Sequence, residues 1–95
     1  MANIALFPGS YKPPHIGHYT AAKKAEEIAG RVIVFVGSGE RDESITQDMS
    51  VQLWELYTQK DPNIKIIKSE SSPVTDVYNY VEKTPFKDGD TVYFI

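Results

Sequence analysis

Residues 4–18, IALFPGSYKPPHIGH, decide the fold of this 95-residue chain, because they join a strand-like run to a helix through a loop rich in glycine and proline. Residues 4–7 are apolar, and Pro8 and Gly9 end that run. The helix pattern that follows is carried by Ala21, Ala25, Ile28 and Ala29. α/β folds bind phosphates at such a junction, because the first turn of a helix presents unpaired N–H groups.

Two histidines stand at the start of that helix. His15 and His18 are three residues apart, so both side chains can lie on one face of the first turn. Gly17 lies between them, and its lack of a side chain would let a ligand come close to the backbone. The spacing predicts that both imidazoles contact the same anion.

The rest of the chain alternates strand and helix patterns. Residues 31–36 (RVIVFV) are rich in β-branched residues and nearly all apolar, which indicates a strand covered on both faces. Residues 64–67 and 91–95 (TVYFI) are further strand candidates. Gly30 fits the C-cap of the first helix.

Two more helices are predicted from their caps and apolar stripes. Thr46 is a candidate N-cap of a helix with the stripe Met49, Leu53, Leu56 and Tyr57. Ser72 and Pro73 open another helix, with the stripe Val74, Val77, Tyr78 and Val81. On this pattern Tyr78 belongs to the core and Tyr80 to the surface.

The resulting order is β-α-β-α-β-α-β. Its connections are too long for hairpins, so right-handed crossovers predict an α/β fold, a Rossmann-like doubly wound parallel sheet in a single domain of residues 1–95. The last run, residues 91–95, has the composition of a strand buried at the centre of a sheet. We therefore expect the domain to be truncated after its fourth strand, with the loop after Ile95 contributing to the site.

Composition and charge exclude several classes of protein. The net charge of −3 argues against a protein that mainly binds nucleic acid, because that affinity comes from lysine and arginine. The first 25 residues nevertheless carry three lysines and no acidic residue, which favours a small anion there. Of these lysines, Lys23 and Lys24 are interpreted as a solvated helix face.

The absence of cysteine excludes disulfides and thiolate metal sites. The sequence contains no run of 18 apolar residues, so it predicts no membrane-spanning helix. We expect a cytoplasmic protein without a membrane partner, and the exposed edge of a short sheet leaves room for a homo-oligomer.

The segment GSYKPPHIGH resembles the HxGH signature of the nucleotidyltransferase superfamily. That superfamily includes cytidylyltransferases, pantetheine-phosphate adenylyltransferase and nicotinamide mononucleotide adenylyltransferases. Tyr11 stands where the family usually has phenylalanine, and Lys12 where it has an acidic or amide residue. Pro13 and Pro14 add one residue before His15 relative to some members. The family's second signature, a hydroxyl-rich helix start followed by a basic residue, is absent from these 95 residues.

The resemblance implies transfer of an adenylyl or cytidylyl group from a nucleoside triphosphate to a small phosphorylated acceptor, with release of pyrophosphate and with Mg²⁺. It assigns His15 and His18 as catalytic residues that contact the triphosphate, and no protein side chain as a metal ligand. The residues expected to bind the nucleotide and its phosphates are Phe7, Gly9, Ser10 and Gly17. Lys12 departs from the family pattern and could serve the phosphates as a point charge. Ser10 and Arg41 would hold the acceptor. Prepositioned donors suit this reaction, because in-line attack gathers negative charge on phosphate oxygens.

Each of these residues also has a simpler interpretation. The histidines could cap the helix, or they could be buried in the core with their hydrogen-bonding groups paired. Without cysteine or a nearby carboxylate they make a poor zinc site. Lys12 could point into solvent, and Arg41 could pair with an acidic neighbour in its loop. Residues 71–74 could touch a base or phosphate, or form an ordinary N-cap.

Two other functions are kept as hypotheses. The missing second signature motivates a nucleotide-binding module or sensor without catalysis. The segment His-Ile-Gly-His is also a signature of class I aminoacyl-tRNA synthetases, so the chain could be a fragment of one.

Overall fold

The computed structural model describes residues 3–11, 13–37, 46–70 and 72–95, and it confirms the predicted alternation of strands and helices. The elements are β1 (Asn3–Gly9), α1 (Ile16–Ala29), β2 (Val32–Val36), α2 (Gln47–Tyr57), β3 (Ile64–Lys68), α3 (Pro73–Lys83) and β4 (Thr91–Phe94).

All four strands are parallel and lie in the order β3-β2-β1-β4. In the centre of the sheet, Leu6 of β1 is paired with Ile33 on one side and with Phe94 on the other. The chain moves outward from β1 to β2 and β3, and then crosses back through α3 to place β4 beyond β1. This reversal is that of a Rossmann-like, doubly wound fold, and it creates a switch point between β1 and β4.

The sheet has helices on both faces. α1 and α2 cover one face through a buried cluster, and α3 covers the other. The first cluster consists of Ala5, Tyr11, Ala22, Ala25, Ala29, Val32, Val34, Val36, Trp54 and Ile64. The second consists of Ile4, Leu6, Ile33, Phe35 and Val77. Every residue of β2 is buried, as its apolar run predicts.

The buried faces of α1 and α2 differ from the predicted stripes. In α1 the small residues Ala22, Ala25 and Ala29 face the sheet, while Ile28 is 63% exposed. In α2 the buried residues are Ser50 and Trp54, and Met49 and Leu56 lie at the surface. The indole of Trp54 determines the orientation of α2, because it buries the largest apolar area when it faces the sheet.

The predicted stripe of α3 is right at Val77 and Val81 and wrong at Val74 and Tyr78. Val77 is buried, and Tyr80 and Val81 pack beside it against the sheet. Tyr80 lies edge-on to Phe35, with ring centroids 6.2 Å apart. Tyr78, predicted for the core, is 64% exposed. The aromatic contacts of Tyr80 favour its face of the helix over the one that carries Tyr78.

β4 lies at the edge of the described sheet and not at its centre. Its apolar composition predicted a buried strand, but Phe94 is 61% exposed and Tyr93 is partly exposed. The central place is taken by β1, because the crossover through α3 puts β4 outside it. The predicted truncation after this strand stays a prediction.

The helix ends follow the capping rules. Gly30 adopts a left-handed conformation with φ of 88° at the end of α1, as predicted for a C-cap glycine. Thr46 caps α2 by accepting the N–H of Met49 at 3.2 Å. Ser72 is the N-cap residue of α3 and Pro73 its first residue, although the Ser72 side chain makes no capping hydrogen bond. Among the described helices, none combines the length and apolar character needed to cross a bilayer.

Lys24 is exposed, and the side chain of Lys23 is 38% exposed but also forms ion pairs that the sequence did not predict. Its Nζ lies 2.7 Å from Glu26 and 2.8 Å from Asp61, which precedes β3. The hydroxyl of Tyr19 donates to the same Asp61 carboxylate at 2.6 Å. This group ties α1 to the segment between α2 and β3.

Candidate functional site

The carboxyl ends of the strands are held together by hydrogen bonds outside the regular ladder. The N–H of Gly37 donates to the carbonyl of Gly9 at 2.7 Å, which joins the ends of β2 and β1. The side-chain amide of Gln47 donates to the carbonyls of Val36 and Ser69, at 2.9 and 2.5 Å, and so bridges β2 and β3. Parallel sheets bind ligands at this edge, and here the hydrogen bonds hold the ends of the strands in fixed positions relative to one another.

His15 and His18 cap α1 together. His15 is the N-cap, and its Nδ1 accepts the N–H of Gly17 at 3.1 Å. In return, Nδ1 of His18 accepts the N–H of His15 at 3.0 Å, so the pair forms a capping box. The rings stack with centroids 3.8 Å apart and planes 25° apart. The spacing correctly predicts that they share one face, and the capping interpretation is also realised.

This cap determines which ring nitrogens carry protons. Because each Nδ1 accepts a hydrogen bond, each neutral ring has its proton on Nε2. The hydrogen bonds of both rings within the described ranges use Nδ1 alone. Burial, with the neighbouring His15 as a second cause, lowers the pKa of His18 below its ordinary value. The pair thus offers two Nε2–H donors at a helix N-terminus, which is where an anion is stabilised.

An aromatic cluster lies beneath the histidines. Tyr11 is buried, and its ring meets His18 edge-on at 4.9 Å and Trp54 at 5.1 Å. Its hydroxyl donates to the carbonyl of Phe7 at 3.0 Å, and burial raises its pKa, so the phenol stays protonated. Ser50 donates its hydroxyl to the carbonyl of Tyr11 at 2.5 Å. Sequence reasoning missed Ser50 and Trp54, and treated Tyr11 only as a departure from the family pattern.

Two glycines of the signature make room for these rings. A Cβ on Gly9 would stand 2.7 Å from Cζ of Tyr11, and one on Gly17 would stand 2.9 Å from Cε1 of His15. Both distances are too short for real atoms. A side chain at Gly17 would therefore displace the ring of His15. The contacts of Gly9 and Gly17 with a ligand stay predictions.

The other candidate residues divide into three groups. Phe7 packs edge-on against Tyr11 and Trp54, so its ring is engaged in the cluster and its contact with a nucleotide stays a prediction. Ser10 is exposed in the loop after β1, at the predicted edge of the sheet. Lys12, Arg41 and Ser71 lie outside the described residues.

The serines between β3 and α3 differ in their surroundings. Ser72 is exposed, in keeping with either interpretation of residues 71–74. Ser69, not singled out from the sequence, is fully buried, and its hydroxyl donates to the carboxylate of Asp76. Within the described ranges, no group of three or more histidine, aspartate or glutamate residues is placed to hold a metal ion.

Known proteins are similar to this chain in sequence. Residues 6–69 match the cytidylyltransferase-like family. Phosphopantetheine adenylyltransferase of Phocaeicola vulgatus is 30% identical over 63 residues, which cover 65% of this chain and 42% of that protein. Nicotinamide-nucleotide adenylyltransferase of Pyrobaculum aerophilum is 30% identical over 81 residues, which cover 82% of this chain and 46% of that protein. The chain thus spans less than half the length of these relatives.

Solved structures share the fold. Crystal structures of NadR protein in complex with NR, and with NAD and AMP-PNP, superpose with TM-scores of 0.71 and 0.72. They are 16% and 15% identical to this chain, and cover 97% and 99% of it. The superposed part is 29% and 31% of those chains. Because the sequence match over residues 6–69 spans more than half of the chain, the chain belongs to the cytidylyltransferase-like family.

Proposed function

We propose that this chain carries the triphosphate-binding part of a nucleotidyltransferase, which moves an adenylyl or cytidylyl group from a nucleoside triphosphate to a small phosphorylated acceptor. The observation that carries the proposal is the two-histidine cap, because it leaves two Nε2–H donors at the N-terminus of α1.

The chemistry needs donors and no nucleophilic side chain. An oxygen of the acceptor's phosphate attacks the α-phosphorus, the bond to the bridging oxygen of the β-phosphate breaks, and pyrophosphate leaves with that electron pair. Negative charge grows on the bridging and non-bridging oxygens. His15 and His18 stabilise it by donating hydrogen bonds from Nε2 that are oriented before the reaction begins.

The relatives favour adenylyl transfer and a phosphorylated acceptor. Two of them are named adenylyltransferases, one for phosphopantetheine and one for nicotinamide nucleotide. Both acceptors carry a phosphate, which suits a role for Ser10 and Arg41 in holding the acceptor and for Lys12 beside the triphosphate.

Mg²⁺ belongs to this proposal as a companion of the triphosphate. Mg²⁺ commonly binds through substrate phosphates and water, with few protein ligands. The ion would neutralise part of the phosphate charge. Three expectations stay predictions: that the protein is cytoplasmic, that it has no nucleic-acid or membrane partner, and that it forms a homo-oligomer.

Two other hypotheses compete with this one. A module that binds a nucleotide without turnover is motivated by the missing second signature. The aminoacyl-tRNA synthetase fragment is disfavoured by the family match over residues 6–69 and by relatives named as adenylyltransferases.

The test is release of pyrophosphate. The protein is incubated with Mg²⁺, one nucleoside triphosphate (ATP or CTP) and one acceptor (phosphopantetheine or nicotinamide mononucleotide). Phosphorus NMR then follows the two products, pyrophosphate and the nucleotidylated acceptor. We expect His18→Ala to lower the rate about 100-fold or more, the scale of one lost charge-stabilising donor. Lys24→Ala, an exposed change on the same helix, should leave the rate unchanged.

Calorimetry with ATP separates the competing hypotheses. Binding of ATP without any pyrophosphate would favour the binding module over the enzyme. Undiminished turnover by His18→Ala would remove the histidines from the mechanism. No binding at all would count against both.

A further inference from the structure

Tyr11 has an unusual backbone conformation. Its φ is +49°, and among the described residues it is the single non-glycine residue with a positive φ. A side chain with a Cβ disfavours this left-handed region, so such a residue persists only where its surroundings hold it. It lies in the loop that leads from β1 to the histidine cap.

Three contacts hold Tyr11 in place. Ser50, itself buried on α2, donates to the carbonyl of Tyr11 at 2.5 Å. The Tyr11 hydroxyl donates back to the carbonyl of Phe7 at 3.0 Å. The ring also fills the space beside Gly9, where a Cβ would stand 2.7 Å from it. The backbone and the ring are thus anchored separately, from α2 and from β1.

The anchored ring faces His18. Their centroids are 4.9 Å apart and their planes are 83° apart, which is the favourable edge-to-face geometry. On its other contacts, His18 stacks on His15 at 3.8 Å, and its Nδ1 accepts the N–H of His15. The ring of His18 also lies 6.5 Å from that of the buried Trp54. Since His15 is exposed, Tyr11 and Trp54 tie the imidazole to the core of the domain, and Tyr11 is the nearer of the two.

We propose that Tyr11 is a positioning residue for His18. Ser50 holds the backbone of Tyr11 in its left-handed conformation, and the ring of Tyr11 then sets the plane of the imidazole and so the direction of its Nε2–H bond. The inference rests on the proposed function of His18 as a phosphate donor. Tyr11 itself is buried, so a ligand at the surface has little access to its side chain. It acts through His18, because a donor displaced by about 1 Å loses much of its effect.

The first measurement uses the unmodified chain. Proton NMR should show cross-relaxation between the ring protons of Tyr11 and those of His18, because the rings are in edge-to-face contact. The pKa of His18 is read from the same spectra and should lie below its ordinary value. Absence of the cross-peaks from a folded chain overturns the proposal.

Substitutions then test the consequence. Tyr11→Leu should raise the pKa of His18 towards its ordinary value, since it removes the nearer of the two buried rings that lie beside the imidazole. It should also weaken ATP binding about 10-fold, the scale of one hydrogen bond to a charged group. Tyr11→Phe keeps the ring and should restore both properties.

A matched control is available on the other face of the sheet. Tyr80 is also a partly buried tyrosine with two aromatic neighbours, Phe35 and Phe86, and it does not contact the histidines. Tyr80→Leu should lower the melting temperature without moving the pKa of His18. If Tyr11→Leu folds and leaves both the pKa of His18 and the ATP affinity unchanged, the proposal is wrong.

Ser50→Ala covers the case in which Tyr11→Leu does not fold. It removes only the hydroxyl that holds the Tyr11 carbonyl, and it should shift the pKa of His18 in the same direction by a smaller amount. An unchanged titration in Ser50→Ala would then overturn the proposal. The NMR readout needs no catalysis, so a chain that shows these shifts but binds no ATP would refute the proposed function and leave the positioning of His18 by Tyr11 intact.

Discussion

The imidazoles of His15 and His18 cap the first turn of α1 for each other, with Nδ1 of His18 accepting the N–H of His15 at 3.0 Å. In a usual capping box the residue at this position is glutamate or glutamine. A histidine there can do more, because Nδ1 serves the helix while Nε2–H stays available to a ligand. The start of the helix and the proposed donor set are therefore one structural unit.

Stability should fall in mildly acidic solution because of His18. Its pKa in the folded chain is lowered from an ordinary 6.5, so the unfolded chain binds the proton more readily. The contribution of neutral His18 to the free energy of unfolding is therefore fully present above pH 6.5. It is lost as the pH falls through the lowered pKa of the folded chain. Urea unfolding at a series of pH values between neutrality and pH 5 measures it.

His18→Gln provides the matched variant for that experiment. Glutamine accepts the capping hydrogen bond but does not titrate, so the variant should keep its stability near neutrality and lose part of the dependence on pH. Identical pH profiles for the two proteins would show that His18 is not the titrating group.

Gly17→Ala should destabilise the chain, although alanine normally favours a helix over glycine. The new Cβ would meet the ring of His15 at 2.9 Å and displace it from the N–H of Gly17. We expect a loss of about 1 kcal/mol, the usual cost of a lost N-cap. In a double-mutant cycle with His15→Ala, the penalty of Gly17→Ala should disappear, and its persistence would mean that the clash is not with that ring.

Asp61→Asn should lower stability at neutral pH. A hydrogen bond from Lys23 lowers the pKa of Asp61 below its ordinary 3.8, and a hydrogen bond from Tyr19 lowers it further by a smaller amount. A carboxylate with a lowered pKa stabilises the fold above that ordinary value, and the effect is lost as the pH falls through the lowered pKa. The difference between the two proteins should be present at neutral pH and narrow below pH 3.8. A constant difference at all pH values, measured by denaturant unfolding, would contradict this.

Gln47→Ala should loosen the edge of the sheet that carries the site. It removes two hydrogen bonds, to the carbonyls of Val36 and Ser69, and should cost about 1–3 kcal/mol. Gln52→Ala, an exposed change on the same helix, should fall within about 0.5 kcal/mol of the unmodified chain. Hydrogen exchange of the amides near Val36 and Ser69 should speed up in the first variant alone.

The sequence predicts features that depend on neighbouring residues. The apolar run of β2 indicates burial on both faces, and the spacing of His15 and His18 indicates a shared helix face. The orientation of α2 was not accessible in this way, since Met49 and Leu56 are apolar but exposed. The bond between Ser50 and the Tyr11 carbonyl joins residues 39 apart in the chain, which no local pattern reveals.

The place of β4 shows a second limit. Its composition resembles that of β2, yet the crossover through α3 puts it at the edge of the described sheet. Hydrophobic content reports what a strand can bury, whereas strand order determines what covers it.

The position of Trp54 makes the site observable without a label. It is the chain's single tryptophan, and its ring centroid lies 6.5 Å from that of His18. An indole so close to an imidazole should change its fluorescence emission when that imidazole gains a proton or engages an anion. Protonation of the histidine pair and binding of an anion to it can therefore be followed in the unmodified chain by intrinsic tryptophan fluorescence.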